Sequence, residues 1–447
     1  MMALIRSQAE RIRTLEERLD RMDRAGAATK AAVTPPQSSS APAPAVALAQ
    51  AGTVPPSRDT PARPAAPDPQ ADWSGGAPLL RSADRRFSFK PRGRILLDLD
   101  ATGGSDVPGR NIVTTGARAA RLGVEGTLYE KGFYAFDVEF TDPGATEILS
   151  AFVGFRDKLG TLNYDVRLGN MFNDRSLEGQ TGSQSTPLLE RSFVANAIAP
   201  RRSFYGVGAT ARLFGPGWHA SLAIAGDPLD GMTERSDTLS VMSRAHWNPV
   251  RTDEGAVHIG AWGFHEWLAG TGRTLTRATI IGARFNSALR VTTGTLTGGD
   301  QTSGYGAEFA VAHRNFYAWS EYGRRDLRFL PGTQTGFSVN AWSVAGGWVI
   351  TGERAPYSAT QGNFRPVDIR RSLVDGGSGA FELVARYQEL DNSQAPLGTR
   401  GDEATLGLNW YPVPLLRLMI NGSLWRLDGR ASDDQGSAVT TRLQLVF

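Results

Sequence analysis

The 447-residue chain contains no cysteine. That excludes a disulfide framework and thiol chemistry, and it fits an oxidising compartment, where a stray thiol is a liability. No run of eighteen apolar residues occurs, so the sequence offers no transmembrane helix. The opening stretch MMALIRSQAERIRTLEERL lacks the apolar centre and small-residue cleavage site of a secretory signal. Taken literally, that keeps the chain in the cytoplasm; the alternative is a signal already removed, or a start site placed downstream of one. Lysine is scarce: Lys30, Lys90, Lys131 and Lys158 are the four, and the other 44 of 48 basic residues are arginine. What is abundant is glycine, 51 of 447 residues, well above the roughly 7% of an average protein.

Three zones follow one another. In residues 1–24, Ile5, Ile12 and Leu19 are spaced by seven, with Leu15 and Met22 three places after Ile12 and Leu19. This is an a/d seam flanked by Arg, Glu and Asp, and it predicts a short coiled-coil helix that forms a small oligomer. Residues 25–84 are built mainly of Ala, Pro, Ser and Gly and hold almost nothing to bury. They read as a disordered Pro/Ala-rich linker.

From residue 85 to 447 the chain reads as strands. GFYAFDVEF puts Tyr134, Phe136, Val138 and Phe140 on one face and Ala135, Asp137 and Glu139 on the other. GAFELVARYQELD sets Phe381, Leu383, Ala385 and Tyr387 against Glu382, Val384, Arg386 and Gln388. TLGLNWYPVP and LRLMINGSL repeat the pattern, separated at YPVP by a predicted turn that Pro412 and Pro414 keep out of any ladder. Segments of about ten residues with alternating faces, polar charges in mid-strand and aromatics near strand ends suit a wet lumen and interfacial girdles. At roughly twenty to twenty-five residues per strand and connection, the zone predicts an all-β transmembrane barrel of about sixteen antiparallel strands, wide enough for an aqueous channel. The final stretch TRLQLVF, ending on Phe447, is expected to close the barrel against its first strand, because lipid cannot satisfy an open sheet edge.

Several segments carry a family resemblance along nearly the whole chain. GRILLDLD, RAARLGVEG, LGNMFNDRSLE, LLERSFVANAIAPRRSFYGVG, GGWVITGERAPY and above all LGLNWYPVPLLRLMIN resemble the phosphate-selective porins O and P. The resemblance implies a homotrimeric porin in the outer membrane of a Gram-negative bacterium, with its N-terminal helix in the periplasm. It also implies contact with outer-membrane lipid, dependence on the barrel-assembly machinery, and small anions in transit. The stretch NMFNDRS lacks the Lys and Pro usual at the family's pore loop. The lysine cluster that phosphate-specific members use has no counterpart among Lys90, Lys131 and Lys158. A barrel that tethers or builds the envelope is the alternative to a conducting channel.

No enzyme, cofactor or nucleic-acid partner is expected. GVGATARLFG has no third glycine at dinucleotide spacing, and HIGAWGFHEWLAG lacks a second His at zinc-helix spacing. His219, His246, His258, His265 and His313 are scattered along the sequence. The arginines are the stronger signal. Arg118, Arg121, Arg167, Arg175, Arg191, Arg201, Arg202 and Arg386 fall on polar strand faces or in the segment expected to fold inward, and guanidinium rings favour anions. The competing expectation is that such arginines pair with Asp98, Asp137, Glu139, Asp165, Glu190 and Glu382 and brace the wall. In particular, Asp165 with Arg167 and Glu382 with Arg386 share strand faces.

Overall fold

The computed structural model describes residues 71–447, except 74, 142–145, 201–203, 230–235 and 430–432. The helix expected at 1–24, the linker as far as residue 70, and Arg201 and Arg202 lie outside the described residues. The main sheet has 18 strands. Two of them, Ala71–Asp72 and Leu79–Arg81, are short and pair onto the start of the first long strand, with Leu80 opposite Phe89. The sheet therefore begins before residue 85.

The other sixteen strands form the barrel. They are β1 Ser88–Gly103, β2 Val113–Leu128, β3 Gly132–Glu139, β4 Glu147–Leu159, β5 Leu162–Phe172, β6 Tyr205–Gly215, β7 Trp218–Ala225 and β8 Leu239–Arg251. Then follow β9 Gly255–Trp267, β10 Gly299–His313, β11 Phe316–Phe329, β12 Phe337–Val349, β13 Ala380–Asp391, β14 Arg400–Val413, β15 Leu416–Asp428 and β16 Asp433–Val446. Each pairs antiparallel with its neighbour, and β16 pairs with β1, setting Leu443 opposite Leu97 and Arg442 opposite Asp98. Closure extends to Phe447, whose N–H donates to the Gly93 carbonyl at 3.0 Å while the Gly93 N–H donates to its carbonyl at 2.9 Å. A Cβ on Gly93 would lie 2.5 Å from the Phe447 ring, so the glycine makes room for the aromatic.

The alternation read from sequence sorts the faces. Phe136 and Phe140 are exposed on the outer wall, whereas Ala135, Asp137 and Glu139 are buried inside. Leu406, Leu424, Val439 and Leu443 face outward; Thr405, Asn409, Asn421, Ser423 and Arg442 face inward and are buried. Polar residues inside and apolar residues outside invert the usual rule for a soluble protein, as a lipid-facing barrel requires. One local feature differs from expectation. β14 continues through Pro412 to Val413, and the missing N–H is accommodated at a register shift between Trp410 and Val413.

Among the described residues, three connections enter the barrel. The pore loop, residues 173–204, links β5 to β6 and carries two short helices, α1 Leu177–Gln180 and α2 Phe193–Ala197. An inserted hairpin, Leu275–Ile280 with Arg290–Leu296, lies between β9 and β10. At the opposite end most connections are tight turns, but residues 350–379, between β12 and β13, form a strap with a small hairpin pairing Tyr357–Ser358 to Asn363–Phe364. These segments bury apolar side chains on one another. Phe193 and Val194 of α2 and Ile198 just after it share one cluster with Ile281 and Leu289 of the insertion and Trp262, Phe264 and Trp425 of the wall. Leu177 and Leu188 share a second with Trp319 of β11 and Phe364 of the strap. The lumen thus has cores of its own, held by the same burial that holds a soluble domain.

Candidate functional site

The pore loop is fixed to one wall by a row of inward side chains. Ser176 and Ser192 cap α1 and α2, accepting from Gly179 N and Ala195 N. Glu321 of β11 stands at both helix starts. Its Oε1 accepts from the N–H groups of Leu177 and Glu178 at 2.7 and 3.2 Å, and its Oε2 from the Ser192 hydroxyl at 3.0 Å. Further along, Arg417 donates to the carbonyls of Thr186 and Pro187, Asn409 to Pro187, Arg442 to Leu189 and Arg386 to Glu190. Buried carbonyls would otherwise go unpaired, so each contact removes a desolvation penalty.

With the loop held there, a cavity of about 760 Å³ remains inside the barrel along β1–β5 and the β14–β16 seam. Seven cationic side chains line it, Lys90, Arg92, Arg94, Arg118, Arg121, Arg191 and Arg417, against four carboxylates, Glu125, Asp137, Glu139 and Glu147. Phe172, Phe204 and Tyr205 form an aromatic shelf beside them, with Phe172 stacked on Phe204 at 5.5 Å and the Arg191 guanidinium 4.7 Å from the Phe204 ring centre. Arg191 also borders a second, small space of about 30 Å³, bounded by Asp98, Glu190, Arg284 and Arg386 among others. The insertion contributes Arg284 to this space.

The residues singled out in sequence separate into groups. Arg118 and Arg121 line the cavity together although they are three apart, because Arg118 is the extra residue of a bulge: Leu96 faces Ala119 and Leu97 faces Ala117. Arg118 lies 3.3 Å from Glu190 and Arg121 is 2.9 Å from Glu139, with a second contact to the Tyr205 hydroxyl at 3.3 Å. Arg167 faces the lumen but shares Asp165 with Arg212 and covers Phe133 and Phe152. Arg175 is buried inside the loop, donating to the Ala195 carbonyl at 2.6 Å. Arg386 sits behind the loop, 3.1 Å from Glu178. It does not pair with Glu382, whose carboxylate is instead taken by Tyr317, Asn409 and Tyr411 with Arg417 at 3.6 Å. The spacing of four along a strand put them on one face but said nothing of closer partners.

Pairing of arginine with wall acids is widespread. Arg442 holds Asp98 at 2.6 Å, Arg92 holds Asp137 at 2.5 Å as well as Glu125, and Glu190 is shared by Arg118, Arg284 and Arg442. Burial works against ionising Glu190, but Arg284, Arg118 and Arg442 outweigh it and hold its carboxyl at about 2. Two cavity arginines stand apart. Arg94 donates to the Ser183 hydroxyl at 3.0 Å and to the Gln184 amide oxygen. Arg191 donates to the carbonyls of Glu178 and Thr181 at 3.1, 2.9 and 2.6 Å. Their partners are neutral. Burial draws the Arg191 pKa down to about 10, which leaves it cationic at neutral pH. Arg94 was missed in sequence, although its alternation with Ile95, Leu97 and Leu99 marks it as inward.

Comparison with known proteins bears on this arrangement. Residues 89–447 match the family described as phosphate-selective porin O and P. The chain is 28% identical to an uncharacterized protein of Caulobacter vibrioides, over 96% of this chain and 84% of that one. Among solved structures, the anion-selective porin from Comamonas acidovorans superposes with a TM-score of 0.50 at 11% identity, over 81% of this chain and 100% of that one. The outer membrane channel DcaP of Acinetobacter baumannii does so at 0.50 and 9%, over 81% and 97%. At these identities the two structures speak for the barrel fold alone.

Proposed function

The chain belongs to the phosphate-selective porin O and P family of outer-membrane porins, and from that premise we propose that its lumen passes small anions in preference to cations. The observation that carries this reading is the pair Arg94 and Arg191, which line the cavity with neutral partners only, among the described residues. An arginine whose partner is a carboxylate adds little net field. One whose partners are a hydroxyl, an amide and carbonyls leaves its full charge to the solution, and low-dielectric walls focus it. Arg118, Arg121 and Arg417 then act as supporting charge whose effect is partly cancelled by Glu190, Glu139 and Glu382.

The ligand set favours passage over tight capture. A phosphate site needs several free donors converging on one anion, and here most guanidinium groups are already committed to the wall. Chloride, phosphate and small carboxylates should all permeate. Planar-bilayer recording under a salt gradient tests this: the unmodified protein should give an anion-selective reversal potential, and Arg94→Gln with Arg191→Gln should move it toward cations. A cation-selective unmodified protein would overturn the reading.

The protein acts, in the same proposal, as a homotrimer with residues 1–24 in the periplasm. The heptad seam of Ile5, Ile12, Leu15, Leu19 and Met22 supports association, though about three heptads are marginal alone. Sedimentation of the full chain against one lacking residues 1–70 checks it: a trimer in both places the main contact in the barrel wall, and a monomer only in the shortened chain places it in the helix.

A further inference from the structure

Three histidines far apart in sequence meet inside the barrel. His219, His246 and His258 come from β7, β8 and β9, and their rings stack in a file with centres 5.5 and 5.0 Å apart. All three are buried. Each end of the file holds a different intruding segment. His219 Nε2 lies 3.0 Å from Asp174 of the pore loop. His246 Nε2 lies 2.9 Å from the Ala359 carbonyl of the strap, so that nitrogen carries the proton when the ring is neutral. His258 Nδ1 lies 2.7 Å from the hydroxyl of Tyr357, also on the strap, and that hydroxyl donates to Asn248 at 2.8 Å. The strap is pressed close: a Cβ on Gly362 would stand 2.6 Å from His246 Nδ1.

The charges around the file are few. Arg244 of β8 lies 3.2 Å from Asp174 and 2.8 Å from Glu308 of β10. Its other donors reach the carbonyls of Gln361 and Gly362 on the strap. Glu308 in turn lies 3.7 Å from His258 Nε2. Burial opposes ionisation of Asp174, but His219 and Arg244 outweigh it and hold its carboxyl well below the usual range. With neutral rings, the cluster therefore sets one guanidinium against two carboxylates. It can take up one proton without becoming cationic. A second and third would place like charges on rings about 5 Å apart, next to Arg244, with no further acid paired to them among the described residues.

We propose that this histidine file is a pH-responsive latch, which holds the strap inside the lumen at neutral pH and releases it on acidification. Protonating His246 turns its Nδ1, which has no hydrogen-bond partner among the described residues, into a donor facing Gly362, and withdrawal of a segment relieves the repulsion along the file. The strap is the segment that withdraws in this proposal, since the pore loop is also tied to β11–β16 through Glu321, Arg386, Arg417 and Arg442. It also supports the pore loop from below, where Phe364 N donates to the Thr181 hydroxyl at 3.1 Å. Its release widens the lumen and loosens the loop.

The conductance arm rests on the channel reading above; the exchange arm does not. Single-channel conductance of the full chain should rise as pH falls from about 6 to 4, since the second proton must enter a buried file beside Arg244. Hydrogen exchange over 355–366, corrected for intrinsic rates, should rise in the same window. His246→Gln with His258→Gln, checked for heat-modifiable folding, should abolish both responses. Gly362→Ala should mimic the acid state at neutral pH by pushing the strap off His246. Unchanged strap exchange in the unmodified protein across this range, or an acid response that persists in the double variant, would overturn the proposal.

Discussion

The two sides of the lumen use the same residues for different ends. Along β11–β16, Arg386, Arg417 and Arg442 are buried, each has a carboxylate, and each donates to a carbonyl of the pore loop. Along β1–β2, Arg92, Arg94, Arg118 and Arg121 stand on a cavity wall and are half-buried; Arg92, Arg118 and Arg121 have carboxylate partners, whereas those of Arg94 are neutral. A guanidinium has five donors in a fixed fork, so a single side chain can brace a loop and neutralise an acid together. Charge in a lumen is therefore not evidence of selectivity. What matters is whether the partners of that charge are themselves ionised.

The sharpest way to break this comparison is to remove one arginine from each side. Arg442→Met leaves Asp98 buried without its partner and the Leu189 carbonyl unpaired, and should cost about 3–5 kcal/mol in unfolding experiments. Arg94→Met should cost about 1 kcal/mol or less and instead move the reversal potential. If Arg442→Met shifts selectivity while stability is unchanged, the division of labour is wrong.

Next in size is the acid limit of the ion pairs around Glu190. The Glu190 carboxyl is held at about 2, below the ordinary glutamate value of 4.5. A depressed pKa means that its ion pairs contribute stability fully above about 4.5 and lose it as pH falls toward 2. Denaturant midpoints should drop as pH falls from about 4.5 to 2, and Glu190→Gln should flatten that slope while lowering stability at pH 7. The smallest effect is expected at the seam. Gly93→Ala pushes the Phe447 ring aside, and it should lower the thermal midpoint slightly while leaving conductance unchanged.

Much of the wall was legible in advance, because alternation at period two is a property of single strands. Ala135, Asp137 and Glu139 against Tyr134, Phe136 and Phe140 needed no partner strand to be sorted. What required register was not legible. His219 and His246 are cross-strand neighbours, and nothing in their spacing of twenty-seven shows it. The bulge that turns Arg118 inward exists only relative to β1. The strap was also hidden: residues 350–379 have no period, and a long connection at the tight-turn end is not what a barrel pattern suggests.

The anchoring of the pore loop has a kinetic consequence. The Leu177 N–H waits for Glu321, 144 residues later, and the Leu189 carbonyl waits for Arg442, 253 residues later. Contacts this distant in the chain form late, since loop-closure entropy must be met first. The constriction is thus among the last parts of the molecule to set. A barrel caught on the way to its native state would hold a wider lumen than the finished protein, and slow late steps would prolong that open stage.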